Sequence, residues 1–148
     1  GSYTGQSTSV RCVIDYFGPT NFLRMNDFES RIDHDAENSP ESQLIGMAIQ
    51  KNKKLTLTAS PISYIDKNDA PFLIMHGTKD MTVPYNQSVI LHKALKKAGV
   101  SSTLLTIVDG GHGGGGSLLA ERFRAFIDFY LLNKEATFAD ESLPVQKN

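Results

Sequence analysis

Apolar positions along this chain fall in short runs separated by amphipathic and polar stretches. The first run is Val10-Arg11-Cys12-Val13-Ile14-Asp15-Tyr16-Phe17, mostly apolar and β-branched, and Gly18-Pro19 stops it. That is the pattern of a buried strand leading into a sharp loop. Residues 21–60 are polar and irregular, with short helical patches. The best patch opens at Pro40, where Ser39 can cap it and Leu44, Ile45 and Ala48 form an apolar face. Insertions without strong periodicity are often lids or binding loops. A second strand is expected over Phe72–His76, entered from Pro71 and ended by Gly77. Tyr85 to Ala98 follows as a helix: Val89, Leu91, Ala94, Leu95 and Ala98 share one face, lysines crowd the other, and Gly99 stops it. A third strand, Ser102 to Val108, runs into a glycine loop from Gly110 to Gly116. The last helix starts at Ser117, carries Leu119, Phe123, Phe126, Ile127 and Tyr130 at helical spacing, and ends near Asn133.

Strands alternating with helices imply an α/β fold, with about three parallel strands, flanking helices and a lid-like insertion. The expected layout is one domain over residues 1–133, with the insertion at 21–60 and a loose polar tail over 134–148. In such sheets functional groups gather beyond the carboxyl ends of the strands.

Composition narrows the possibilities further. The 148 residues carry a formal net charge of -1 and no basic run, which argues against a nucleic-acid partner. No apolar stretch approaches the roughly 20 residues of a membrane-spanning helix. Residues 1–9 lack the apolar core of a signal peptide. Cys12 is the only cysteine, so neither an internal disulfide nor a cysteine metal cluster is available, and the compartment stays open. Neither His34 nor His92 makes metal-ligand spacing with the remaining histidines. His92 is expected on the polar side of its helix, and both are read as without a chemical role. No metal or organic cofactor is expected.

Two loops leave the same edge of the expected sheet with chemistry-bearing residues. His76-Gly77-Thr78-Lys79-Asp80-Met81-Thr82-Val83-Pro84 presents Asp80 on a short loop, where a carboxylate can hold an imidazole in one tautomer. A solvated turn aspartate or a helix cap fits the same spacing. Asp109-Gly110-Gly111-His112-Gly113 presents a histidine amid glycines, and an imidazole can take and return a proton during acyl transfer. A flexible surface loop fits that segment equally well. His76 ends a buried strand and is read as structural. Gly111 to Gly116 formally matches G-x-G-x-x-G, but a dinucleotide fingerprint needs a further strand after the helix, and here a polar tail follows.

Four segments together resemble the C-terminal part of an α/β-hydrolase. The closest likeness is to the esterase/lipase branch that includes feruloyl- and acetylxylan-esterase-like enzymes and borders the prolyl-oligopeptidase group. They are Val13-Ile14-Asp15-Tyr16-Phe17-Gly18-Pro19-Thr20, Ala59-Ser60-Pro61-Ile62-Ser63-Tyr64-Ile65, the Asp80 loop and Gly110-Gly111-His112-Gly113. The likeness runs from Val10 to Leu132. It implies that Asp80 and His112 are the acid and histidine of a catalytic triad, and that the substrate is a small ester. The family's nucleophile elbow, G-x-S-x-G, is not found in these residues; Gly5-Gln6-Ser7-Thr8-Ser9 is the nearest string and precedes a strand rather than a helix. The resemblance therefore implies a serine-type ester hydrolase whose nucleophile lies outside this chain, so that the chain alone is expected to be inactive. An inactive binding or assembly domain and the tail of a prolyl-oligopeptidase-type peptidase are the alternatives. A first strand without a neighbour is an association hazard, so self-association through the sheet edge is also expected.

Overall fold

The computed structural model describes residues 2–113 and 116–145. Gly114 and Gly115, in the middle of the expected glycine loop, and the last three residues of the tail lie outside them. The described residues form a parallel sheet of four strands in chain order: β1 Val13–Tyr16, β2 Phe72–Gly77, β3 Ser102–Val108 and β4 Glu141–Pro144. Helix α3, Asn86–Ala98, connects β2 to β3, and α4, Gly116–Leu132, connects β3 to β4. The residues between β1 and β2 hold two short helices, α1 Pro40–Ile45 and α2 Lys53–Ala59, and two 3-10 segments, Phe22–Asp27 and Pro61–Tyr64.

Alternation along the strands sorts side chains onto two faces. Leu73, Met75, Leu105 and Ile107 pack with Leu119 and Phe126 of α4 and with Leu143 of β4. Ile74 and Leu104 pack with Leu91 and Leu95 of α3 and with Val100. Burying an aliphatic side chain on either face is worth roughly 1.5–3 kcal/mol. Gly99 ends α3 in the left-handed region, φ 83°, and its N–H returns to the Leu95 and Lys96 carbonyls. Ser39 caps α1 as its sequence predicts, its hydroxyl oxygen accepting from Ser42 N at 3.1 Å.

The segment read as a loose tail behaves differently. Glu141–Pro144 adds a fourth strand, pairing Leu105 with Glu141 and Ile107 with Leu143. Leu143 is only 5% exposed. Upstream of the strand, Phe138 packs edge-on against Phe126 and Phe129, at ring distances of 5.2 and 5.4 Å. Asp140 accepts from Leu104 N and from Lys96 Nζ, both at 2.9 Å, and Arg122 grips Glu141 through two bonds of 2.9 and 3.0 Å. His92 is part of this clasp. It is buried, not on an open polar face, with Nδ1 2.9 Å from Ser102 Oγ and Nε2 3.2 Å from Asp140. Burial pushes the His92 pKa down.

The insertion is anchored at its start and again a few residues further on. The fully buried Gln87 side chain accepts from Thr20 N at 3.1 Å and Asn21 N at 2.8 Å, and donates to Arg24 O at 3.2 Å. About a quarter of the way along it, Arg31 N and Ser30 Oγ both donate to Met81 O, at 2.8 and 3.0 Å. This fastens the insertion to the loop that follows β2. Among the described residues no helix is long and apolar enough to cross a membrane.

Candidate active site

The loops leaving β2 and β3 are zipped together by their backbones. Thr78 N donates to Ile107 O at 2.9 Å, Lys79 N to Gly110 O at 2.8 Å, and Asp109 N to Thr78 Oγ1 at 2.9 Å. The approach is close enough that a Cβ on Gly77 would sit 2.3 Å from Gly110 O. Only glycine fits between two backbones packed this tightly.

This junction brings Asp80 and His112 together. His112 Nδ1 lies 2.8 Å from Asp80 Oδ2. The other carboxylate oxygen, Oδ1, accepts from Thr82 N at 2.8 Å and Val83 N at 3.0 Å, an Asx turn that fixes the side chain to its own loop. A carboxylate oxygen accepts, so in this pairing His112 Nδ1 donates. The ring's Nε2 is then its proton-accepting nitrogen. The Asp80 side chain is fully buried, whereas that of His112 is 39% exposed. A shielded carboxylate behind an accessible imidazole is the layout of an acid–base pair that can serve a reacting group in solution.

Phe17 and Asp109 both hold left-handed backbone, φ 47° and 62°, at the exits of β1 and β3. Strain of this kind is worth about 1–3 kcal/mol and needs support from its surroundings. At Phe17 it lays the ring against His112, 4.3 Å between centroids. Just before it, Asp15 is largely buried, with its Oδ2 lacking a hydrogen-bond partner among the described residues. Burial raises the Asp15 pKa to about 6, against the opposing effect of the Gly18 N–H.

His76, read from sequence as structural, ends β2 directly beneath this pair, with Nε2 3.2 Å from Asp80 Oδ2. One signal for it was available: His76 stands four residues before Asp80 across a tight glycine turn, so the two side chains must share the strand end. His34, in the insertion, is buried with Nδ1 3.0 Å from Glu41 and Nε2 3.3 Å from Ser30 Oγ. That serine–histidine–glutamate row is a fastening rather than a nucleophile site, because the Ser30 hydroxyl hydrogen goes to Met81 O and its oxygen accepts from Ile32 N. A cavity of about 770 Å³ lies between the insertion and the acid loop, walled by Phe28, Arg31, Met81, Tyr85 and Val89. Asp80 touches it, and His112 is not among its walls. No cluster of three or more metal-ligating side chains occurs among the described residues.

Comparison with known proteins gives the family of the chain. The sequence model of the BD-FAE family matches residues 1–95 of the 148. The chain belongs to the BD-FAE family. The match takes in the Asp80 loop and ends before His112. Esterase LipC of Mycobacterium tuberculosis is 25% identical over 118 residues, covering 74% of this BD-FAE chain and 27% of that protein. Among solved structures, a truncated carbohydrate esterase from gut microbiota superposes with a TM-score of 0.73 at 31% identity, over 88% of this chain and 45% of its own. A bifunctional GH43-CE protein of Bacteroides eggerthii gives 0.72 at 31% identity, over 90% of this chain and 18% of its own. The chain thus spans less than half the length of each of these relatives. The fold is that of the α/β-hydrolases, and LipC and the truncated gut protein are esterases by name.

Proposed function

We propose that this chain supplies the acid and the histidine of a serine-type carboxylic ester hydrolase. The carrying observation is the 2.8 Å contact between His112 Nδ1 and Asp80 Oδ2, which leaves Nε2 to accept a proton. Similarity to Esterase LipC and to a truncated carbohydrate esterase supports the reaction class. In this reading Nε2 takes the proton of a serine hydroxyl lying outside residues 1–148. The serine oxygen forms a bond to the ester carbonyl carbon, and His112 returns the proton to the departing alcohol. Water, activated by the same nitrogen, then releases the acid. Asp80 holds the ring in the Nδ1–H tautomer and balances the imidazolium formed at each step. The insertion, tied to Met81 beside the acid, shapes one side of the substrate site. No metal or organic cofactor enters the scheme.

The test is the coding sequence upstream of Gly1 and the product it encodes. A G-x-S-x-G between a strand and a helix is expected there. In that product Asp80→Asn should lower hydrolysis of a short aryl ester by up to roughly 10⁴-fold, by analogy with serine proteases. An unchanged rate would remove Asp80 from the triad, and an upstream sequence without a nucleophile would favour a binding or assembly domain.

A further inference from the structure

Asp80 Oδ2 faces two imidazoles, and only one belongs to the proposed triad. The second, His76, is fully buried at the end of β2. Its Nδ1 lies 2.7 Å from Ser88 Oγ in α3, and its Nε2 lies 2.8 Å from Val83 O and 3.2 Å from Asp80 Oδ2. A carbonyl oxygen only accepts, so Nε2 must carry the hydrogen, which is directed to Val83 O with Asp80 Oδ2 as a second, longer contact. Burial pushes the His76 pKa down, which keeps the ring neutral and leaves Nδ1 as an acceptor. Ser88 therefore donates to it. The hydrogens run one way, from Ser88 to His76 to Asp80, while His112 donates to the same oxygen from the other side. Tyr85 stands edge-on to the His76 ring at 5.8 Å and Phe17 at 6.3 Å, so the imidazole is walled as well as bonded.

The two donors to Oδ2 differ in how firmly they are held. His112 comes from a glycine loop and is partly exposed, whereas His76 comes from a central strand with both nitrogens engaged. A buried carboxylate oxygen whose donor moves away loses its compensation for being out of water. His76 leaves Asp80 with a donor whatever the exposed imidazole is doing. We propose that His76 is a positioning residue: its Nε2–H, oriented by Ser88, keeps Asp80 Oδ2 turned towards His112. The catalytic meaning of this role rests on the esterase reading. The hydrogen-bond role does not, and it can be read without turnover.

The experiment is long-range proton–nitrogen correlation of the imidazoles in the ¹⁵N-labelled chain, comparing the parent with His76→Phe and His76→Gln. Phenylalanine keeps the ring volume and loses the donor; glutamine keeps a donor near the Nε2 position. The parent should show His76 as a single Nε2–H tautomer and a slowly exchanging Nδ1 hydrogen on His112. In His76→Phe that hydrogen should exchange on the order of tenfold faster, the worth of one lost hydrogen bond, and His76→Gln should restore most of the protection. Unchanged His112 exchange in a folded His76→Phe protein would reduce His76 to a core filler and overturn the proposal. Finding the Nδ1–H tautomer at His76 in the parent would overturn it too, and that measurement stands even if the phenylalanine variant does not fold. Absence of ester hydrolysis would leave all of these spectra as they are, so the two ideas fail separately.

Discussion

Replacing Gly77 by alanine places a methyl carbon 2.3 Å from Gly110 O, 2.5 Å from Gly110 C and 2.6 Å from Gly111 O. These are backbone atoms, held by the Thr78–Ile107 and Lys79–Gly110 hydrogen bonds, and cannot swing aside as a side-chain end would. A carbon–oxygen contact needs about 3.3 Å, so the two loops must part by about 1 Å. Applied along the 2.8 Å His112–Asp80 contact, that movement carries the pair beyond hydrogen-bond distance. Overpacking of this sort typically destabilises by about 1–3 kcal/mol. Gly111→Ala is the matched control: it sits in the same junction, its Cβ would meet nothing within 4 Å, and it should stay within about 0.5 kcal/mol of the parent. Urea unfolding followed by circular dichroism measures both variants, and the His112 Nδ1 hydrogen reports the pair directly. In an active product a 1 Å misplacement should cost up to about 100-fold in rate. A Gly77→Ala protein as stable as the parent, with the His112 hydrogen still protected, would refute the claim that the backbone junction sets the site.

Three further outcomes follow from the structure. Asp15 has a folded pKa raised to about 6 from 3.8, so the folded state resists its ionisation and loses stability as pH climbs through that window. Asp15→Asn should therefore stabilise the chain at pH 7.5 by up to about 3 kcal/mol, with the gain vanishing near pH 4, as paired urea melts at the two pH values will show. Leu143→Ala should cost about 2–4 kcal/mol in the same assay, because the leucine is buried under α4; a loose tail would give no change. β1 is an edge of the described sheet, and sedimentation at rising concentration should show self-association that Val13→Lys suppresses; a monomer at high concentration counts against it.

How much of this was legible in the residues alone depends on the range of the interactions involved. Short apolar runs stopped by glycine or proline marked β1 and β2, a run leading into the glycine loop marked β3, and the helical spacing of Leu91, Leu95, Leu119 and Phe126 marked α3 and α4. These signals are local, because burial of one face repeats with the pitch of the element itself. The Asp80 and His112 loops could be singled out for the same reason: strand order places consecutive βα loops at one rim of a parallel sheet. The fourth strand could not be read that way. Four residues, Glu-Ser-Leu-Pro, carry too little pattern, and their placement is set by the contacts of Glu141 with Arg122, of Asp140 with Leu104 and Lys96, and of Phe138 with Phe126, all distant in sequence. The same holds for His92 and His76. Whether a histidine faces water or a buried partner is decided by what the rest of the chain lays over it. Local sequence determined three of the four strands, the two long helices and the His76–Asp80 turn; long-range packing decided the fourth strand and brought His112 to the same carboxylate.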